Sequence, residues 1–274
     1  MRCGVCGSQS MRAIFKIGKW DIIECSHCLV QFISPKPSDD EISAMYREYY
    51  ESGEGARQLA NPSYGRLSFP RQWGIISSLA RKREGRLLDF GCGGGHFLAR
   101  VSDRWQRYGI EISEKASDVA AQKHFAVYSR LECMRTWGEF FDVITMFATI
   151  EHLPNPREVV GELAKLLKPD GLFVIMTGDV KSTKAAWQGQ KWSMYAPPGH
   201  IYYFAAYSVD YLMQSLGFRK VKHLYTDGGM TSIPFMPLNL ALRAGLEICF
   251  RMPKLNELSL FDTYYGYYRK ESVR

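Results

Sequence analysis

Residues 87 to 98 read LLDFGCGGGHFL, an apolar strand that runs into a glycine loop with Asp89 just ahead of it. A strand that delivers into glycines and then a helix usually presents backbone N–H groups to a small charged ligand. The dinucleotide form of such a loop, G-x-G-x-x-G, seats a pyrophosphate. Here the glycines fall at 91, 93 and 95, with Gly94 adding freedom. The Asp89 carboxylate would repel a pyrophosphate and attract a cation, such as the ammonium of an amino acid or a sulfonium beside it. S-adenosylmethionine carries both cations and no phosphate. Twenty residues after Gly91, Glu111 closes the next strand and is placed to accept hydrogen bonds from two ribose hydroxyls. Dinucleotide sites share that second feature, so the discrimination rests on Asp89.

A second constellation stands at the front of the chain, where Cys3 and Cys6, then Cys25 and Cys28, form two C-x-x-C pairs. Each pair turns two thiolates toward one point, and four make the closed tetrahedral set of a structural zinc ribbon. The segment between them, with Ile14, Phe15, Ile17, Trp20, Ile22 and Ile23, can form short strands but too small a core to fold unaided. A bound metal supplies the missing stability. A disulfide pair and a duplicated redox motif are the weaker alternatives, because the N-terminus lacks the apolar core of a secretion signal. His27 lies inside the second knuckle and is expected to be exposed rather than a ligand. Cys92, Cys133 and Cys249 are isolated.

These residues sit in a chain of 274 that is 46% hydrophobic and 23% charged, enough for one large domain with a small appendage. No stretch reaches the run of about 18 apolar residues that a membrane helix needs, so the cytoplasm is the expected compartment. The formal charge of +7 suits acidic partners, but the basic residues are scattered. After the ribbon (1–34) comes a linker and cap helix (35–68), in which Ser38 and Glu41 make a capping box and Ile42, Met45, Tyr46 and Tyr49 share a face. Residues 51–66 read as a mobile loop. From 69 to 274 helices and strands alternate: helix 70–83, strand 86–91, helix 95–102, strand 105–111, helix 113–123, strand 125–128, strand 141–147, helix 156–168 and strand 172–177. A helix at 208–216, a strand from Phe218 and a last strand from Phe261 follow. Such alternation predicts an α/β, doubly wound sheet, with the ligand at the strand C-termini. A lid at about 180–206 and an apolar helical insertion at about 230–258 interrupt the pattern.

With these motifs in hand, the chain resembles the class I S-adenosylmethionine-dependent methyltransferases over roughly residues 1–225. FDVITMFATIEHLPNPREVVGELAKLLKPDGLFVIMT resembles the family's fourth strand, helix and fifth strand, and KWSMYAPPGHIYYFAAYSVDYLMQSLGF resembles the substrate lid of a small-molecule branch. Bacterial members of that branch carry an N-terminal four-cysteine ribbon and modify sugars and secondary metabolites. The resemblance implies a seven-stranded Rossmann-like sheet whose last strand is antiparallel. It implies that Asp89, Gly91 and Gly93, with Cys92 packed among them, hold the methionine end, that Glu111 holds the ribose, and that Ile112 packs on adenine. Backbone near Leu131 and Glu132 reaches the adenine edge, and Phe147 lies near the sulfonium. Two departures stand out. Arg130 occupies the place where the family often has an adenine-reading acid, and Gly178-Asp179 replaces a common Pro-Asn.

Methyl transfer needs an in-line approach of the acceptor, and a base only if the acceptor must lose a proton. His200, in the turn Pro197-Pro198-Gly199-His200, is the candidate base; His152 is the second candidate, and a buried structural histidine is the alternative for each. Trp187, Trp192, Tyr195, Tyr202 and Tyr203 serve either as lid core or as an acceptor-stacking surface. The expected function is methyl transfer to oxygen or carbon of a small molecule, such as a sugar nucleotide or secondary metabolite. The rivals are an RNA methyltransferase gripping RNA through the ribbon and a non-catalytic cofactor-binding module. The ribbon's few basic residues and the FATIEH strand end weigh against RNA, and the intact loop and lid weigh against the module. The apolar helix near 238–250 serves the core or a homodimer contact in preference to a membrane.

Overall fold

The computed structural model describes residues 1–61, 63–226, 259 and 261–271. The expected helical insertion at about 230–258, and Cys249 within it, lie outside the described residues. In chain order the elements are β1 (Met11–Ile17), β2 (Trp20–Cys25), β3 (Gln31–Ser34), α1 (Asp39–Glu51), α2 (Glu54–Ala60), α3 (Ser68–Ala80), β4 (Gly85–Phe90), β5 (Trp105–Ile110) and α4 (Glu114–Ala121). There follow β6 (Ala126–Tyr128), β7 (Phe141–Phe147), α5 (Pro156–Leu166), β8 (Leu167–Gly178), α6 (Thr183–Gln188), β9 (Tyr202–Tyr203), α7 (Ala206–Ser215), β10 (Phe218–Thr226) and β11 (Thr263–Lys270).

Seven strands form one sheet in the order β10-β11-β8-β7-β4-β5-β6. The β4, β5, β6, β7 and β8 ladders are parallel, and β11 runs antiparallel to both β8 and β10, as the resemblance implies. Central strands buried on both faces need unbroken apolar runs, and β7, FDVITMF, is buried at every position but the last. Neighbouring residues point to opposite faces, so Leu87 and Val143 join one core cluster while Leu88 and Ile144 join the other. Helices cover the sheet accordingly: α5 opens with Pro156 in its first turn and buries Val160, Leu163 and Ala164.

Two local expectations are corrected. The loop predicted over 51–66 contains α2, because the turn-forming residues collect at its ends, Ser52-Gly53 and Asn61, and leave a short helical segment between. There Arg57 pairs with Glu54 at 2.8 Å, and Tyr49 donates to Gln58. The helix predicted over 95–102 is absent. Gly93 and Gly95 hold φ of +50° and +71°, which an α-helix does not admit, and only a 3-10 turn over Leu98–Arg100 remains.

The front sheet holds a feature the sequence reading did not contain. Its order is β1-β2-β3-β9, so its fourth strand comes from the lid segment. Gln31 pairs with Tyr203 and Phe32 with Tyr202, and the Ile33 N–H donates to Ile201 O at 3.0 Å. Ser208 Oγ donates to Cys28 O, and Lys181 pairs with the buried Glu24 of β2 at 2.5 Å. Ribbon and sheet domain share one continuous apolar cluster. Within the lid segment, Trp192, Tyr202 and Tyr203 are core, whereas Trp187 is 85% exposed.

Candidate functional site

β4 carries Asp89 to the C-terminal edge of the sheet, where the chain must reverse at once. Gly91 does so at φ +77°, its N–H donating to Ile110 O at 2.8 Å; a Cβ there would meet Thr149 Oγ1 at 2.3 Å. Gly93 faces open space, leaving room for a ligand against the backbone. Asp89 is 3% exposed and accepts from Thr145 Oγ1 at 2.7 Å. Burial pushes its carboxyl up to about 7 against the pull of that hydrogen bond, and the charge of Glu111 adds to the rise. Glu111, buried just past β5, accepts from the Gly93 N–H at 2.9 Å and the Ser113 N–H at 2.8 Å. Burial raises it as well.

Two buried carboxylates thus flank the glycine loop, and among the described residues neither pairs with a cation. A buried acid without a counter-charge is costly, and a ligand that brings positive charge and hydroxyl donors relieves that cost. The donor set fits S-adenosylmethionine. Ile112, next to Glu111, is 72% exposed and offers an apolar face at the rim. Leu131 and Glu132 open a 3-10 turn after β6, with Glu132 turned outward toward Arg135 at 3.6 Å. Phe147 ends β7 with its ring edge-on to Phe97 and Tyr265. Cys92 is buried against Gly109, and burial drives its thiol far above the ordinary range, the state of a packing residue rather than a nucleophile.

On the other side of β7, the 3-10 turn Ile150–His152 and the turn before β9 bring three groups together. His152 Nδ1 lies 2.7 Å from Gly199 O and His200 Nδ1 2.6 Å from Met194 O, with the two rings edge to face at 4.8 Å. Burial lowers the His152 pKa, opposed by the Glu151 charge. Glu151, 2% exposed, accepts from Thr177 Oγ1 at 3.0 Å through one oxygen, while its other oxygen has no partner among the described residues.

α1 roofs this site, a role sequence reasoning missed. The Tyr46 ring stands 6.4 Å from His152, and burial, with the charges of Glu111 and Glu151, pushes its phenol up to about 12. The signal was present in Tyr46, Tyr49 and Tyr50, which stand beside Ile42 and Met45 on one helix.

The four front cysteines also converge. Cys3 and Cys28 Sγ are 3.6 Å apart, Cys6 and Cys25 Sγ 3.5 Å, and all four lie within 4.8 Å of one another. Tetrahedral zinc with Zn–S bonds of ~2.3 Å sets sulfurs ~3.8 Å apart, so the set fits zinc. The knuckles match: Gly7 N–H donates to Cys3 O and Leu29 N–H to Cys25 O, both at 2.9 Å, with Gly7 and Leu29 left-handed. A hydrogen bond from Cys28 holds the Cys3 thiol down to about 5, while burial pushes Cys6 up to about 11. His27 is exposed, packing edge-on to Tyr211, and Cys133 is exposed and outside the cluster. No helix among the described residues is long and apolar enough to cross a membrane.

The profile of a family described as a methyltransferase domain matches residues 70–223, more than half of the chain. The chain is 34% identical over 104 residues to the ubiquinone biosynthesis O-methyltransferase of Neisseria meningitidis serogroup A, a stretch covering 34% of this chain and 43% of that protein. It is 32% identical over 153 residues to the protein of the same name from Parvibaculum lavamentivorans, covering 49% and 59%. The chain therefore spans about half the length of these relatives. Its fold is similar to the crystal structure of Burkholderia thailandensis 1,6-didemethyltoxoflavin-N1-methyltransferase with bound 1,6-didemethyltoxoflavin and S-adenosylhomocysteine, with TM-score 0.56, 14% identity, and 95% of this chain and 99% of that one covered. It is also similar to the [4+2]-cyclase SpnF, with TM-score 0.59, 17% identity, and coverage of 87% and 98%. At such identities the likeness speaks for the fold alone.

Proposed function

The chain belongs to the methyltransferase-domain family, and from that premise we propose that it is a class I S-adenosylmethionine-dependent methyltransferase that methylates a small-molecule acceptor, at oxygen in preference to carbon. The observation that carries this reading is the pair of buried carboxylates, Asp89 and Glu111, around the glycine loop, neither paired with a cation among the described residues. The cofactor, when bound, supplies an electrophilic methyl group. Asp89 draws the cationic methionine end into the loop formed by Gly91, Cys92 and Gly93. Glu111 accepts from the ribose, Ile112 covers the adenine, backbone at Leu131 and Glu132 meets its edge, and Phe147 shields the sulfonium.

His152 and His200 face the acceptor, and His200 takes its proton. α1 excludes water above them, which strengthens each of these electrostatic contacts. The preference for oxygen draws on relatives named as O-methyltransferases. A structural zinc, held by Cys3, Cys6, Cys25 and Cys28, stabilises the ribbon. Isotopically labelled S-adenosylmethionine, incubated with metabolite and RNA pools, should label a small molecule; label confined to RNA would overturn the acceptor class.

Cofactor binding tests the first half of the reading. Asp89→Asn should weaken S-adenosylmethionine by roughly 10- to 150-fold, the loss of a hydrogen bond to a charged group at about 1.5–3 kcal/mol. The empty protein holds Asp89 protonated below about 7, and only the ionised form attracts a cation. Wild-type affinity should therefore rise with pH up to about 7, by up to about tenfold per unit, and this dependence should flatten in the variant. Calorimetry showing equal affinity for the two proteins would remove Asp89 from the cofactor site.

A further inference from the structure

We infer that Glu24, in ribbon strand β2, is a positioning residue for methyl transfer: one buried carboxylate fastens both ends of the lid segment from Lys181 to Tyr195 and so sets the turn whose Met194 carbonyl orients the His200 ring. The inference rests on the reading of this chain as a methyltransferase with His200 at the acceptor, and it assigns the ribbon a task in the reaction.

Glu24 is 1% exposed, and a carboxylate so buried is stable only when its lone pairs are filled. Arg12 gives Nε and Nη2 to Oε1, at 3.0 and 2.6 Å. Oε2 accepts from Lys181 Nζ at 2.5 Å and from Gln31 Nε2 at 2.9 Å. Lys181 opens the lid segment just after β8. Gln31 carries the contact to the far end, since its Oε1 accepts from the Tyr195 hydroxyl at 2.7 Å. The acid fixes the polarity of this relay. An ionised carboxylate can only accept, so the Gln31 amide turns its NH2 to Glu24 and leaves its oxygen for Tyr195.

Tyr195 follows Met194, whose carbonyl oxygen lies 2.6 Å from His200 Nδ1. A carbonyl cannot donate, so the neutral ring carries its proton on Nδ1. Backbone bonds close the turn between them, from Tyr195 N to Trp192 O, Ala196 N to Met194 O and His200 N to Ala196 O. The rings of Phe15, Trp192 and Tyr203 meet Tyr195 edge-on, with centroids 5.1, 5.3 and 4.7 Å away. Such packing is non-directional, and the bond to Gln31 is what fixes where the phenol, and with it the Met194 peptide, sits. Backbone pairing of Gln31 with Tyr203 and of Phe32 with Tyr202 already joins ribbon to lid. The buried acid therefore adds direction to a seam that is closed without it.

NMR of the full, zinc-loaded chain labelled with ¹⁵N-histidine tests this, with the His200 signals assigned by their loss in His200→Gln. In the wild type the neutral His200 ring should be protonated at Nδ1. In Glu24→Gln the Gln31 amide can turn over, and the ratio of Nδ1–H to Nε2–H at His200 should fall about five- to tenfold, the bias that one hydrogen bond supplies. Tyr195→Phe removes only the last donor of the relay, should act in the same direction, and serves if Glu24→Gln does not fold. In both variants S-adenosylhomocysteine affinity should stay within about twofold, while turnover on the acceptor found by labelling falls about tenfold or more through misalignment. An unchanged His200 ratio or unchanged turnover in both variants overturns the inference, as does a wild-type ring protonated at Nε2. His27, in the ribbon against Tyr211, reports general loosening, and chemical-shift changes there as large as those at His200 also overturn it. Failure of the wild type to bind S-adenosylhomocysteine would instead sink the methyltransferase reading and leave the ring measurement standing.

Discussion

His200→Gln should leave cofactor affinity within about twofold and lower turnover by roughly 10²- to 10⁴-fold, the range for a lost general base. Glutamine can still donate to Met194 O, the contact that His200 Nδ1 makes, but it offers no atom that takes a proton at neutral pH. The His200 main chain lies between the Glu151 turn and the ribbon: its N–H donates to Ala196 O, and the next N–H, of Ile201, donates to Glu151 O. A side-chain exchange leaves that frame in place, so the effect should fall on kcat and spare cofactor binding. Steady-state kinetics on the identified acceptor, with calorimetry of the cofactor, separates the two. Near-normal turnover in the variant would assign His200 to lid structure, and catalysis would then rest on alignment of an acceptor already nucleophilic.

Cys25→Ser should reduce zinc from about one per chain to near none and unfold the ribbon. Zinc binding in such small sites supplies on the order of 10 kcal/mol of folding free energy. The ribbon's own buried apolar side chains are few, Val5, Trp20, Ile22, Val30, Phe32 and Ile33, and they belong to the cluster shared with the sheet domain. Loss should spread to the acceptor site, because β3 holds β9 and β9 begins two residues after His200. The expected pattern is a lower melting temperature, early proteolysis within residues 1–34 and loss of turnover, with S-adenosylhomocysteine still bound at the loop after β4. Cys133→Ser, an exposed residue outside the cluster, should leave metal content unchanged. A Cys25→Ser protein with full zinc, or a zinc-free wild type with unchanged melting and protease resistance, would refute the assignment.

Each motif read directly from the chain is local. Cys3 with Cys6, Cys25 with Cys28, Ser38 with Glu41, and Asp89 with its glycines each act within a few residues, where backbone geometry leaves few choices. The parallel, helix-covered sheet was legible for a related reason: alternation of apolar strands with amphipathic helices admits few topologies, while its seven strands and antiparallel last strand came from the family resemblance. Composition misled where turn formers bounded an element rather than filled it, as at α2. It misled again where a glycine loop ran on at positive φ into what periodicity took for a helix.

What the sequence determined by itself, then, was the sheet class, the thiolate set and the Asp89 loop, because each depends on contacts close along the chain or on a repeating pattern. Only the tertiary structure decided that β9 completes the ribbon sheet, that α1 roofs the site with Tyr46, and that Glu151, with one oxygen unpartnered among the described residues, stands beside His152 and His200. Those features join residues far apart in the chain, such as Phe32 with Tyr202 and Glu151 with His200. A two-residue strand or a lone unpaired oxygen leaves no periodic trace in the sequence. Their placement follows from how the whole core closes, and so it becomes visible only in three dimensions.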